Sequence, residues 1–326
     1  MDKIKKLTNA KAQRNDEFYT LYEDIVKEVE RYVEVNPDIF RGKTVMLPCD
    51  DPERSNFTRY FLENFKRYGL KRLISSSYNK SGGCGKVCIV ENPDEVVCHA
   101  LNGDGDFRSD EVCQLREKAD FIITNPPFSI FGDFFEWLVE SGKKFLIVAN
   151  KTCVTYKLVF PLLKENKLWS GYRRWGGGMW FESDKSNFDK IVDGKWLKNI
   201  GACWLTNMEH KRRFERLENL KTIEENKVGA KYNRLAKVGC YQKYDNYDII
   251  EVPFVDMIPS DCYEVMGVPV SFIDKYNPEQ FEIIGTTDVP GFREVGTGWN
   301  GKKAKCVFRG KPKFSRVFIK AKNISC

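Results

Sequence analysis

Asp120-Phe121-Ile122-Ile123-Thr124-Asn125-Pro126-Pro127-Phe128 is the stretch on which the reading of this chain turns. Residues 121–124 are apolar or β-branched without alternation, the pattern of a strand buried on both faces. Two successive prolines then stop it, because proline lacks the N–H a sheet ladder needs and holds φ at about −65°. Residues 130–140 follow with apolar side chains at helical spacing and a Ser141-Gly142 close, and residues 144–149 make a second unbroken apolar run. A buried strand, a rigid turn, a helix and another buried strand form a βαβ unit, whose strands run parallel.

The same alternation extends toward the N-terminus. Residues 112–118 predict a short helix, and residues 86–90 and 96–101 predict two strands joined by the turn Glu91-Asn92-Pro93-Asp94. Residues 70–76 predict a strand. Residues 55–68 carry Phe57, Phe61, Leu62 and Phe65 at helical spacing and stop at Gly69, and residues 43–47 run into the turn Pro48-Cys49-Asp50-Asp51-Pro52. The expected fold class is α/β, with a mostly parallel sheet covered by helices on both faces and ligands beyond the carboxyl ends of its strands. The second half is less regular. Residues 200–206 predict a strand, residues 209–226 a charged helix, and residues 306–322 a hairpin around Gly310-Lys311-Pro312 with one basic face.

The chain has 326 residues, 42% hydrophobic, enough for one sizeable core and a smaller region. Its longest apolar runs are too short to cross a bilayer and the N-terminus lacks a secretory pattern, so a cytoplasmic protein is expected. Eleven irregularly spaced cysteines then read as reduced thiols. Net charge is +7, but residues 301–326 hold nine basic residues and no acid, so the rest of the chain is slightly acidic. A second basic cluster, Lys3, Lys5, Lys6, Lys11 and Arg14, opens the chain. Such concentrations suit a polyanionic partner, although a solvated lysine-rich surface accounts for them equally well.

Asn125-Pro126-Pro127-Phe128 suits a particular chemical problem. The lone pair of an exocyclic ring amine is delocalised, so a site that methylates it must hold both N–H groups with acceptors and turn the lone pair toward the methyl donor. An Asn oxygen and the carbonyl of the next proline are two acceptors, fixed in place without competing donors. Phe128 offers a face on which a flipped base stacks. The plainer reading is a rigid proline turn with an anchoring aromatic. Two companions weigh against it: Asp50 and Asp51 after the first strand, which serve equally as helix caps or as ligands for a cationic amine, and Gly103-Asp104-Gly105-Asp106-Phe107 one strand upstream. Asp16-Glu17-Phe18-Tyr19-Thr20, by its spacing, is an ordinary helix start.

With these clusters in this order, the chain resembles the EcoRI-type adenine-specific DNA methyltransferases. The resemblance spans nearly the whole length and also rests on Leu70-Lys71-Arg72-Leu73-Ile74, Glu165-Asn166-Lys167-Leu168-Trp169, Tyr244-Asp245-Asn246-Tyr247-Asp248 and residues 266–281. It implies a class I, Rossmann-like methyltransferase fold with a smaller C-terminal β-rich recognition region, S-adenosyl-L-methionine as donor and double-stranded DNA as substrate. By motif, Asn125, Pro126, Pro127 and Phe128 would hold the flipped adenine. Cys49, Asp50 and Asp51 would lie at the methionine end of the cofactor, Asp106 and Phe107 at its adenine, and Phe18, Tyr19 and Thr20 in the same pocket. One departure is plain: Ser75-Ser76-Ser77-Tyr78 offers no acid where many methyltransferases bind the cofactor ribose.

The implied organisation is a flexible basic arm at 1–15, a catalytic domain at 16–207 and a DNA-binding region at 208–326, with sharing of one core left open. Arg173, Arg174, Lys211, Arg212, Arg213, Lys302, Lys303 and Arg309 are the candidate DNA contacts. The segment holding Trp169, Tyr172, Trp175 and Trp180 reads equally as a DNA-stacking loop or an aromatic-packed hairpin. A monomer is expected, with a restriction endonuclease of the same site as the candidate protein partner. No metal site is expected, since Cys84, Cys88, Cys98, His99 and Cys113 do not have paired-ligand spacing. The alternatives are methylation of RNA or of a protein glutamine amide, which pose the same lone-pair problem, and a non-catalytic DNA-binding relative.

Overall fold

The computed structural model describes residues 18–228, 230–237 and 239–322; the basic arm, Asp16 and Glu17 lie outside the described residues. Two compact units emerge, one made of the chain to Asn150 with Gly171–His210, the other of Lys151–Ser170 with Lys211–Cys326.

The first unit opens with β1 (Tyr19–Thr20) and α1 (Tyr22–Val35), so the helix expected to start at residue 16 begins after a short strand. Next come β2 (Thr44–Leu47), α2 (Asn56–Glu63), α3 (Phe65–Tyr68) and β3 (Arg72–Ser77). The single helix expected over 55–68 is broken at Asn64, whose side-chain amide donates to the Tyr60 carbonyl, and it ends as expected on a left-handed Gly69. β4 (Lys86–Val90), β5 (Cys98–Ala100), α4 (Asp110–Glu117), β6 (Phe121–Thr124), α5 (Phe131–Glu140) and β7 (Lys144–Asn150) follow. The chain then forms α6 (Phe160–Lys164) and β8 (Trp169–Ser170) of the second unit before contributing β9 (Met179–Glu182), β10 (Lys190–Val192), β11 (Lys195–Ile200) and β12 (Ala202–Thr206) to the first. Gly201 thus divides the single strand expected over 200–206.

The large sheet of the first unit runs β5-β4-β3-β2-β6-β7-β12. β3, β2, β6 and β7 are parallel, whereas β4, β5 and β12 join by antiparallel pairings. The sheet is therefore mixed, a correction to the mostly parallel expectation: β3, β4 and β5 follow one another through the loops 78–85 and 91–97 without a crossover helix, and such direct connections leave neighbours antiparallel. β2 and β6 are buried at every position, which requires cover on both faces. Ile25 and Val29 of α1 pack with Phe57 and Phe61 of α2 on Val45, Leu47, Leu146 and Trp204. The order reverses direction between β3 and β6 on either side of β2, the switch point where crevices form in such sheets. The Cys88 and Cys98 sulfurs face each other across the β4–β5 pair and are joined as a disulfide, which corrects the expectation of uniformly reduced thiols.

The second unit holds the short helices α7 (Ile223–Lys227) and α8 (Ala230–Ala236), and a sheet ordered β13 (Ile250–Glu251), β14 (Met266–Pro269), β18 (Arg316–Ala321), β15 (Phe281–Thr286). Between them β16 (Val307–Phe308) and β17 (Lys311–Pro312) form a separate hairpin. The long hairpin expected over 306–322 is thus only its first part, and the remainder inserts between β14 and β15. The helix expected over 209–226 is also corrected. Lys211–Phe214 makes one 3-10 turn, Asn219 takes a left-handed φ of 57°, and helix resumes at Ile223 behind a Thr222/Glu225 capping box.

Candidate active site

A cavity of about 310 Å³ opens beyond the carboxyl ends of β2, β3 and β6. That lies within the range of a small-molecule or cofactor pocket, roughly 300–1,000 Å³. Its wall brings together Phe18, Tyr19 and Thr20, Cys49, Asp50 and Asp51, Asp106 and Phe107, and Asn125 through Phe128. Four segments separated in sequence therefore meet in one place.

Asp50 sits at the floor, 6% exposed. Its two carboxylate oxygens accept from Ser55 Oγ and Thr124 Oγ1, each at 2.6 Å. Burial raises its pKa to about 6, and the two hydroxyl donors only partly oppose that. Ser55 is also the N-cap of α2, accepting from the Phe57 N–H at 3.1 Å. The capping role left open for the two aspartates falls to Ser55 at the helix itself and to Asp51 in the turn before it, where Asp51 accepts from the Glu53 N–H. Burial, reinforced by Asp50, holds the Cys49 thiol well above its ordinary range, so it stays protonated.

Asn125 is oriented by a contact that sequence reading missed. Its Nδ2 donates to the Phe18 carbonyl at 2.6 Å. Phe18 is held in turn by β1, which pairs with β9, and by Asn56, whose Nδ2 donates to the Thr20 carbonyl at 2.9 Å. With the amide nitrogen engaged, Oδ1 is left as the side chain's accepting atom, and it accepts no hydrogen bond among the described residues. The Phe128 ring, half-buried, rests edge-on against Phe181, with centroids 6.4 Å apart.

Gly105 takes a φ of 84°, and a Cβ there would run into the Ser77 carbonyl, so only glycine lets this turn close on the end of β3. Phe107 is buried between Phe134 and Trp137. Asp106 is bonded by the Arg108 guanidinium at 2.6 and 2.9 Å and by its backbone N–H, and the guanidinium holds its carboxyl below the usual range. Its Oδ1 thus accepts twice, and a lone pair remains on Oδ2. Ser77 and Tyr78 line the wall where the ribose acid was missed.

The candidate DNA residues separate. Arg174, Lys211, Lys302, Lys303 and Arg309 are exposed. Arg212 is buried and paired with Asp274, so the phosphate role expected of it gives way to an internal ion pair. Arg173 braces its own loop, with Nη2 donating to the Gly178 carbonyl. Arg213 lies over the Trp169 ring at 3.7 Å. Trp169 and Trp175 are buried and Tyr172 packs edge-on to Tyr32, so these rings are packed, but the segment is not the expected hairpin, since β9 pairs with β1 and β11 and β8 lies in a different sheet. Buried Glu28 accepts the N–H groups of Tyr172 and Arg173 and anchors the turn.

Comparison with known proteins defines the class. The family described as adenine-specific methyltransferase EcoRI matches residues 6–322. The type II methyltransferase M.EcoRI of Escherichia coli is 39% identical over 306 residues, covering 86% of this chain and 88% of the relative. M.MpnI of Mycoplasma pneumoniae is 35% identical, covering 84% and 83% respectively, and M.MgeORF184P of Mycoplasma genitalium 34% identical, covering 84% of each. No solved structure matches. The chain belongs to the EcoRI family of adenine-specific methyltransferases.

Proposed function

We propose that this chain methylates the N6 amine of an adenine turned out of double-stranded DNA, using S-adenosylmethionine, on a class I methyltransferase sheet. The observation that carries the reading is the tether of Asn125 Nδ2 to the Phe18 carbonyl, which leaves Oδ1 as acceptor at the cavity. An Asn held the other way would present a donor to an amine and repel it. The Pro126 carbonyl is the second acceptor, and Phe128 the stacking face.

The cavity fits the cofactor. Asp50 supplies a buried carboxylate for its ammonium, Phe107 an apolar wall for its adenine, and Asp106 Oδ2 one acceptor for the ring amine. Thr20 Oγ1, buried on the wall without a hydrogen-bond partner among the described residues, is the kind of orphan a polar ligand satisfies. When bound, the cofactor supplies an activated sulfonium methyl. The chain's own work is then alignment: Asn125 and Pro126 grip the amine, Phe128 positions the ring, and the Asp50–Thr124 bond ties the two halves of the site together. The proposed DNA contacts are Arg174 on the first unit and, separately, Lys211, Arg213, Lys302, Lys303 and Arg309 on the second, with a restriction endonuclease of the same site as partner.

The test is to incubate the purified chain with methyl-labelled cofactor and, in parallel, duplex DNA, RNA and glutamine-containing peptide. Label recovered as N6-methyladenine from duplex DNA is the expected result. Label in RNA or peptide alone would replace the reading, and no cofactor binding by calorimetry would mark a non-catalytic relative.

A further inference from the structure

Tyr244-Asp245-Asn246-Tyr247-Asp248 carries no role in the reaction as described, yet three of its side chains converge on one basic segment. Asp245 accepts the N–H groups of Arg309 and Gly310, at 3.2 and 2.8 Å. Asn246, 4% exposed, accepts from the Val307 N–H at 2.8 Å and donates to the carbonyls of Lys303 and Lys305 at 2.7 and 2.9 Å. The Tyr247 hydroxyl donates to the Ala304 carbonyl. Consecutive side chains thus satisfy backbone groups of residues 303–310, a stretch with only two residues of strand. Arg309 and Gly310 both have positive φ, 49° and 76°, as a two-residue hairpin turn of the primed type requires.

Because the clasp takes hold of the backbone, the side chains are left outward. Lys302, Lys303, Lys305, Arg309 and Lys311 are exposed, and none of them makes an ion pair among the described residues. Immediately beyond stands Phe314, 87% exposed, the most exposed large hydrophobic among the described residues. Its flanks are pinned: the Lys313 N–H donates to the Cys306 carbonyl at 2.7 Å, and Ser315 Oγ to Asp288 at 2.9 Å. A single exposed apolar side chain is unremarkable by itself. One set among cations, with no acid between residues 301 and 326, suits a partner that is both polyanionic and flat-faced. Nucleic acid is such a partner, since every base has a stacking face and every nucleotide a phosphate.

We propose that residues 302–314 form a duplex-gripping platform pre-shaped by the Asp245-Asn246-Tyr247 clasp, with Phe314 as its stacking contact. This rests on the reading of DNA as substrate. The cations meet phosphates, and Phe314 packs against or between bases, as apolar wedges do in bent duplexes.

The experiment is equilibrium binding of the full chain to a labelled duplex across a salt titration. Phe314→Ala is expected to weaken binding about ten- to a hundred-fold without altering the salt slope, because stacking releases no counterions. Phe314→Trp should bind like the parent. Asn246→Ala, folded by circular dichroism, is expected to flatten the slope as the lysines lose their common geometry, with the loss falling on KM for DNA rather than kcat. Should that variant fail to fold, Tyr247→Phe carries this arm, since it removes one hydroxyl and little volume. Phe314→Ala binding within twofold of the parent would overturn the stacking contact. A folded clasp variant with the parent's affinity and slope would overturn the clasp. A parent chain that binds no duplex at any salt would instead sink the DNA reading, a different and recognisable failure.

Discussion

The pocket of the first unit and the basic platform of the second are built on opposite plans. At the pocket, the functional side chains are themselves the groups that are held: Ser55 at a helix N-cap and Thr124 at a strand end grip Asp50, and the Phe18 carbonyl holds Asn125. At the platform, side chains hold backbone, and the charged groups are left outward. The first plan fixes a few atoms tightly, which alignment chemistry demands, since a misplacement of about 1 Å costs on the order of a hundredfold in rate. The second fixes a surface whose individual cations each contribute little and whose common geometry matters more. Damage to the pocket should therefore appear in turnover, and damage to the platform in affinity.

The largest expected effect tests the first half of that contrast. Asn125→Ala should lower kcat about 10²–10³-fold, in the range seen when a single preorganised transition-state group is lost, while DNA and cofactor affinities change little. Near-normal single-turnover rates in this variant would refute the assignment.

An intermediate effect comes from Asp50. Its folded carboxyl titrates at about 6 against an ordinary 3.8, so the folded chain holds the proton more tightly than the unfolded one. The stabilising contribution of that proton is complete below 3.8 and lost as pH rises through about 6. The ionised, buried carboxylate consequently costs about 3 kcal/mol at neutral pH. Asp50→Asn should raise the Tm of ligand-free protein at pH 8 and leave it nearly unchanged at pH 3.5. Cofactor affinity of the parent should fall as pH drops below about 6, because a neutral acid no longer attracts an ammonium. A pH-independent affinity across that window would show that Asp50 does not face the ammonium.

The smallest effects belong to the platform. Lys302→Ala and Lys303→Ala should each reduce the salt slope of duplex binding by about 0.9, with only a few-fold loss of affinity at moderate salt. Loss of turnover at saturating DNA in either variant would erase the distinction between the two regions.

The two regions also differed in how far they could be read from residues alone. Asn125 through Phe128 were legible because strand, prolines and aromatic are contiguous, and the turns carrying Asp50 and Asp106 were legible because each follows its own apolar run. Ser55 was there to be found as an N-cap ahead of an apolar helix. Thr124 was read as strand and nothing more, since no local pattern says which side chain its hydroxyl will meet 74 positions away. Arg212 looked like its neighbours in a basic triplet until the fold turned it inward to Asp274.

By itself, the order of apolar runs, prolines and turns determined the alternation of strands and helices and the acceptor-rich tetrad at the end of a buried strand, because periodicity and backbone restriction act over a few residues. Tertiary structure alone decided the mixed direction of the sheet, the tether that aims Asn125 and the clasp beneath the basic segment. Each of those depends on a hydrogen bond between groups distant in the chain, and which distant donor meets which acceptor is settled only when the packed core brings them within reach.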